Sequence, residues 1–489
     1  MKIFLIILAI IVALILITVI KAALYKAKPV EIPEMPKENV NSKRVQQRLS
    51  QAIQIKTISN PDDSKVDWSE FERFHKFLDD EFPLVFKNLK KEDISQASLL
   101  YTWQGTRPDL DPIALLSHQD VVPVSSGTLG DWKHDPFEGF NDGEFIWGRG
   151  AVDMKNHLIC VMEAVEELLE EGFTPERTVY LCFGHNEEIV AGNNNGANAI
   201  MTALKERGVH LDSTLDEGGA IIKANVKGLI EGNLAGVGIA EKGYADYKIS
   251  VKAKGGHSSQ PPKHTAVGQI SDVVRDLEKH QFKARMLPSV YNLFKGVGAH
   301  TSFPARMIMC NLRFLKPVFF AIMKQFPPAA TFIRTTTACT MLSGSPASNV
   351  LPQTASVTVN FRELPGDTLK DTEEHIRKVV RNKDIEIEFL KGKEASKVSS
   401  TDSKAFKTIE KLAMQIDSKN IVAPFLVMGG TDSYHYEEIC DNMYRFSPFI
   451  IDASIMLTTH GTNERCPVEQ LDVAVSFFKR YIKEMTDKA

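Results

Sequence analysis

Apolar positions along this chain change their spacing several times, and each change marks a different element. Residues 3–20, IFLIILAIIVALILITVI, carry no charge and are long enough as a helix to reach across most of a bilayer. Residues 27–40, AKPVEIPEMPKENV, contain three prolines and read as an extended spacer. A mainly helical opening is expected over roughly 40–90. From there two periods alternate. The runs LLYTW (99–103), IALLSH (113–118), RTVYLCF (177–183) and LDSTLD (211–216) predict strands. NHLICVMEAVEELLEEG (156–172) and GANAIMTALKERG (196–208) predict helices that close on a glycine, the first with apolar residues at i, i+3 and i+4. Strands alternating with helices call for an α/β sheet covered by helices.

The pattern shifts near Tyr244. ADYKISVKAKG (245–255) alternates apolar and polar residues, and helical stretches follow it. Then come SVTVNFREL (356–364) as a strand, a charged helix around 368–382, and IEIEFLKG (385–392) as a further strand. This order predicts a compact α+β insert over about 244–396. The α/β character returns from Ser403, and VEQLDVAVSFFKRYIKEM (468–485) predicts a closing amphipathic helix. The expected plan is an apolar segment (1–26), a spacer (27–39), an α/β domain built from 40–243 and 397–489, and the insert between those two parts.

Composition narrows the class. At 489 residues, 43% hydrophobic and 25% charged, the chain is able to bury a large core and a smaller second one. A net charge of −4 without a basic stripe sets nucleic acid aside as a partner. The six cysteines contain no C-x-x-C pair; Cys160 and Cys182 lie in apolar runs and read as core residues, and pairing of the others stays open. At the N-terminus Lys21 follows the apolar run directly. Ala22, Ala23 and Ala27 have Ile20, Lys21 and Tyr25 two positions upstream, which makes poor cleavage sites. An uncleaved membrane anchor is therefore expected, with a cleaved signal peptide as the alternative. Either aims the chain at the secretory pathway, as a single-pass anchored protein or as a secreted or lumenal one.

Candidate chemistry collects just after the apolar strands. LLSHQDVVPV supplies His118 and Asp120, WGRGAVDMKNH supplies Asp153, and CFGHNEE supplies Glu187 and Glu188. DSTLDEGG supplies Asp216, and LTTHGTNER supplies His460. In an open α/β sheet, ligands gather in the crevice at the carboxyl ends of strands. A single His or Asp there is usually a cap or turn residue, but five such sites of metal-ligand type are hard to read that way. Imidazole with carboxylate suits Zn²⁺ and tolerates Mn²⁺ or Co²⁺. Two His and three or more acids exceed one tetrahedral ion and suit a pair bridged by a carboxylate. One of the adjacent glutamates would then ligate, and its neighbour would be poised as a general base.

With these motifs in hand, the chain resembles the M20 metallopeptidases, which include glutamate carboxypeptidases, aminoacylases and carnosinases. Within them it is most similar to the branch of carboxypeptidase S and the N-fatty-acyl-amino-acid synthase/hydrolase. The likeness runs from about residue 40 to the end through SHQDVVPV, WGRGAVDMK, HNEE, LDEGG, GGHSSQPP, SNVLP, NFRELPGDT, GGTDS and HGTNE in order. It implies a zinc-peptidase-type catalytic domain, a mixed sheet flanked by helices, with a ferredoxin-like lid and dimerisation insert. It also implies two Zn²⁺ per chain, bridged by Asp153. His118 and Asp216 would complete one site, and Glu188 and His460 the other. Glu187 would be the base, and Asp120 would fix the His118 imidazole. His257 would reach the oxyanion across a homodimer. Asn349 and Arg362 would hold the substrate carboxylate, and Gly429 and Gly430 would let backbone approach it.

Two stretches depart from the family pattern: Asn156 stands where a glycine is common, and AGNNNGANA carries extra asparagines. His134 reads as structural because the ligand sets are already filled. RFLKPVFFAIMKQFPPAATFI (313–333) reads as a buried helix or dimer face, or else as a groove for an acyl chain or a lipid contact. The expected activity is hydrolysis of an amide next to a free carboxylate, in an N-fatty-acyl amino acid or in a peptide, with the acyl reaction able to run backwards. An inactive binding protein on the same fold is the alternative from another class.

Overall fold

In a computed structural model, residues 2–27, 33, 36, 38–189, 194–224, 230 and 232–487 form the described part of the chain. The expected spacer 27–39 lies largely outside it. A mixed sheet forms the larger body. Its strands run in the order Lys90–Ile94, Ser98–Trp103, Val179–Gly184, Ile113–His118, Ser213–Asp216, Met443–Arg445, Asn233–Glu241, Ile221–Lys223 and Ile450–Ile451, and Asn420–Val427 pairs in parallel with Asn233–Glu241. The three central strands, Val179–Gly184, Ile113–His118 and Ser213–Asp216, are parallel neighbours.

Strand side chains alternate between the two faces, so two cores form. Leu99, Tyr101, Ile113, Leu115, Leu181 and Phe183 pack on the face that carries the helices Lys155–Glu170 and Glu469–Thr486. Leu100, Ala114, Leu116 and Cys182 pack on the other, against Ala197, Ile200 and Leu204 of the helix Gly196–Glu206. Both the Lys155–Glu170 and Gly196–Glu206 helices stop just before a glycine at positive φ, Gly172 at 74° and Gly208 at 71°. None of the six cysteines is bonded to another.

The insert carries its own four-stranded antiparallel sheet, in the order Thr336–Ser343, Thr354–Arg362, Tyr244–Lys252 and Glu386–Lys393. Helices Ala266–Lys279 and Leu369–Val379 complete the β-α-β-β-α-β order of a ferredoxin-like unit. The latter begins in a capping box formed by Thr368 and Asp371. Between Ala266–Lys279 and Thr336–Ser343 the chain makes a helical excursion, with helices Pro288–Gly298, Phe303–Met309, Leu312–Met323 and Pro327–Ala330 around a satellite core of Val290, Leu312, Phe319, Met323 and Ile333. The Phe-rich stretch is thus not wholly buried: Phe319 is buried, whereas Phe314 is 63% exposed.

Candidate metal centre

Three parallel strands deliver their C-terminal residues to one crevice. His118 ends its strand, Glu187 and Glu188 follow Val179–Gly184, and Glu217 follows Ser213–Asp216. Asp153 comes from the turn before the helix Lys155–Glu170, and His460 from the loop after the short helix Ala453–Met456. Asn186 and His460 both sit at φ 59°, an uncommon region for residues with a Cβ.

The Nδ1 of His118 lies 2.9 Å from the carbonyl oxygen of Asp120. A carbonyl only accepts, so Nδ1 carries the proton and the Nε2 lone pair points into the crevice. That nitrogen faces Asp153 Oδ1 at 3.1 Å, Glu217 Oε1 at 3.2 Å and Glu187 Oε2 at 4.0 Å. His460 Nε2 lies 2.9 Å from Asp153 Oδ2 and 3.0 Å from Glu188 Oε2. Asp153 therefore turns one oxygen to each imidazole. Two sets of donor atoms lie within 4.8 Å of one another, His118 with Asp153 and Glu188, and His118 with Glu187 and Glu217.

The electrostatics of this cluster call for added positive charge. Burial, with the charge of Asp153 nearby, pushes Glu188 up to about 7 and Glu217 up to about 8, and burial carries Glu187 well above the usual carboxylate range. Contacts to Asp153 and Glu188 raise His460 to about 10. Burial opposes a charge on His118, yet Asp153 and Glu217 hold it well above its ordinary value. Carboxylates and imidazoles that hold extra protons when alone are a fitting donor set for divalent cations, which would neutralise the same charge.

The structure corrects one expectation about this set and gives the detail of another. Asp216 does not face His118. It is fully buried, its Oδ1 accepts the N–H of Glu217 at 2.9 Å, and burial raises it to about 6. Consecutive side chains at a strand end diverge, and Glu217 takes the place expected for Asp216. The turn that aims it is tight: Gly218 has φ 90°, and a Cβ there would come 2.8 Å from Thr431 Cγ2. Asp120, in turn, holds His118 through its backbone carbonyl. Its carboxylate stands 3.6 Å from Nδ1 and accepts the backbone N–H groups of Glu187 and Glu188, at 3.2 and 3.3 Å. It fixes the loop that presents both acids. Glu217→Gln is expected to lower bound metal and to cost activity more than the roughly 10–100-fold typical of outer-shell losses. Asp216→Asn should keep its metal; elemental analysis of both variants checks this.

Arg362, Gly429 and Gly430 line the same cavity of about 570 Å³, together with Tyr244, Lys393 and Asp432. The Arg362 guanidinium stacks over Tyr244 at 4.6 Å, and burial disfavours its charge. A Cβ on Gly430 would come 2.8 Å from Lys393 Nζ, whereas one on Gly429 would meet nothing within 4 Å. His257 and Asn349 are not brought to this cavity. They line a separate depression on the insert, where the short strands Gly256–His257 and Val350–Leu351 pair and His257 Nδ1 lies 2.7 Å from Ser259 Oγ. His134 stacks on Phe140 with centroids 4.2 Å apart, as a structural residue would.

Three supporting residues escaped the sequence reading. Glu464 Oε1 accepts backbone N–H groups of Gly150, Val152 and Asp153 at 2.9–3.1 Å, and its Oε2 pairs with buried Arg149 at 2.5 Å. It pins the turn that carries Asp153. Glu241 accepts from Thr431 Oγ1 at 2.7 Å and pairs with Arg445 and Lys393, which orders the Gly429–Asp432 loop. Asp432 is pushed up to about 8 by burial and by the charge of Asp216, and a Cβ on Gly184 would come 2.5 Å from its Oδ2. Glu464 stands in HGTNE and Asp432 in GGTDS, so position within a motif was the available signal for these two.

Residues 114–484 match the family described as Peptidase family M20/M25/M40. The "Probable carboxypeptidase S-like 2" of Dictyostelium discoideum is 36% identical over 441 residues, 89% of this chain and 84% of that protein. The "N-fatty-acyl-amino acid synthase/hydrolase PM20D1" of Xenopus tropicalis is 31% identical over 450 residues, 90% and 86% of the two chains. Among solved structures, the M20 family metallo-carboxypeptidase Sso-CP2 from Sulfolobus solfataricus aligns with a TM-score of 0.65 at 15% identity, covering 90% of this chain and 98% of its own. The chain belongs to peptidase family M20 and is a metallohydrolase.

Proposed function

We propose that this protein hydrolyses an amide bond next to a free carboxylate, and that its substrate is an N-long-chain-acyl amino acid. The observation that carries the reading is one cavity lined by Arg362 and by Asp153, Glu187, Glu188, Glu217 and His460, the acids and outer imidazole of the cluster around His118. His118, Asp153, Glu188, Glu217 and His460 would hold two Zn²⁺, with Asp153 shared because it turns one oxygen to each imidazole. Bound cations would supply Lewis-acid polarisation of the scissile carbonyl and acidify water.

The chain's own groups do the rest. Arg362 takes the substrate carboxylate through a two-pronged contact, which sets the adjacent amide over the cluster. Of the three acids facing His118, Glu187 stands farthest, at 4.0 Å. It is the group free to take the proton of the attacking water and hand it to the leaving nitrogen. Run backwards, the same transfers join a fatty acid to an amino acid. His257 and Asn349 would complete the site only from a second chain, so a homodimer is part of this reading. The N-terminal helix Lys2–Leu24, long and apolar enough to cross a membrane, would anchor the protein in the secretory pathway.

A peptide substrate is the second reading, favoured by the likeness to a probable carboxypeptidase S-like protein. Acyl length separates the two. Val122, Ile189 and Val427 line the cavity, and each methylene buried there adds about 0.8 kcal/mol, or roughly fourfold. For N-acyl-phenylalanines from acetyl to oleoyl, kcat/KM should climb steeply and then level off once the cavity is full. Equal turnover of N-acetyl and N-oleoyl substrates, or faster cleavage of blocked dipeptides, would transfer the assignment to a carboxypeptidase.

A further inference from the structure

The helical excursion of the insert presents an apolar stripe that the fold leaves uncovered. On the helix Leu312–Met323 one face is buried through Leu312, Phe319 and Met323. Phe314, Val318 and Ile322, spaced four residues apart, are 63%, 47% and 42% exposed, and Phe326 continues the spacing at 60%. Residues at i, i+4 and i+8 share one side of a helix. Arg313 and Lys324, both exposed, are eleven residues apart, about three turns, and so share one side of the helix, turned away from the stripe.

The N-terminal apolar helix is seated on this same unit. It packs against the helix Phe303–Met309, Ala22 is fully buried, and Asn311 Nδ2 donates to the carbonyl of Thr18 at 3.2 Å. Tyr25 donates its hydroxyl to Lys295 O at 3.2 Å, and the Ala27 N–H donates to Ala299 O at 2.9 Å. Further towards its N-terminus the helix is bare, with Ile3 to Leu8 45–76% exposed. The contact level is decisive. Thr18 lies inside the uncharged run 3–20, and that run spans about 27 Å as a helix against a hydrocarbon core of about 30 Å. If the helix crosses a bilayer, Asn311 and the start of Leu312–Met323 meet the membrane at its surface.

We infer that the insert docks on the lipid bilayer through Phe314, Val318, Ile322 and Phe326, beside the transmembrane helix. Amphipathic helices lie in the interface in this manner, with the apolar face inward and basic side chains at the headgroups. The inference rests on the anchor reading above and is independent of the substrate. The helix Pro288–Gly298 of the same unit packs on the strand Asn420–Val427, and Phe332 meets Phe425 at 5.6 Å. That strand leads into Gly429 and Gly430, so the rim of the catalytic cavity is tied to the docked surface.

The test uses the full chain reconstituted in phosphatidylcholine vesicles that contain some phosphatidylserine. A fluorophore is attached in turn at V318C, I322C, L14C and K407C, each checked for amidase activity, with the unsubstituted protein giving the labelling background. Lipids carrying a nitroxide near the headgroup serve as quencher. At an insertion depth of about 5–10 Å, emission from positions 318 and 322 should fall several-fold, while position 407 on the catalytic domain should not change. Quenching at 14 with none at 318 and 322 would overturn the docking and leave the anchor intact. Absence of quenching at 14 would remove the anchor reading and the inference with it. Protein-concentration-dependent shielding of 318 and 322 without quenching would assign the stripe to a second copy of the chain and also overturn the proposal.

Discussion

Glu187→Gln is expected to keep its bound metal and its fold while losing about a thousandfold or more in kcat, ~4 kcal/mol of transition-state stabilisation. The change keeps the side chain's shape and removes its ability to accept a proton. The backbone N–H of Glu187 still reaches Asp120 Oδ1 at 3.2 Å, so the loop that presents Glu188 is undisturbed. His118 retains Asp153 and Glu217 at 3.1 and 3.2 Å, the contacts that define its side of the cluster. KM should change little, because Arg362 is untouched. Loss of metal in step with activity would instead make Glu187 a ligand and reassign the base.

Much of the catalytic domain was legible because its elements obey local rules. The strand over 113–118 was expected and found with the same bounds, and the 156–172 and 196–208 patterns became Lys155–Glu170 and Gly196–Glu206. What escaped depends on contacts between distant segments. The strand Asn233–Glu241 joins Asn420–Val427 across more than 180 residues, and no local period announces such a pairing. Which acid of LDEGG faces His118 was equally out of reach: adjacent acids differ only in the direction their side chains take, and the turn at Gly218 decides that. It is the carbonyl of Asp120 that meets His118 Nδ1 at 2.9 Å, and spacing does not tell a carbonyl contact from a carboxylate one. His257 and Asn349 matched their motifs and yet lie outside the cavity of a single chain. The helical excursion was legible as apolar, whereas its division into a buried face and a bare stripe follows from what it packs against.

Removing divalent metal is expected to abolish amide hydrolysis. Asp153, Glu187, Glu188 and Glu217 meet around two imidazoles in one crevice. Bound cations would neutralise such a cluster and act on a carbonyl. A chelator-treated protein should therefore lose activity by at least about a thousandfold, and Zn²⁺, Mn²⁺ or Co²⁺ should restore it. The Glu464 and Asp120 hydrogen bonds keep the turns that carry Asp153 and Glu188 in place meanwhile. The most direct measurement is elemental analysis of the purified full-length protein, with hydrolysis of an N-acyl amino acid followed on the same samples as metal is withdrawn and returned. The account predicts close to two ions per chain, as for a bridged pair, with activity falling and recovering in proportion to occupancy. Full activity in a sample holding far less than one ion per chain would contradict it.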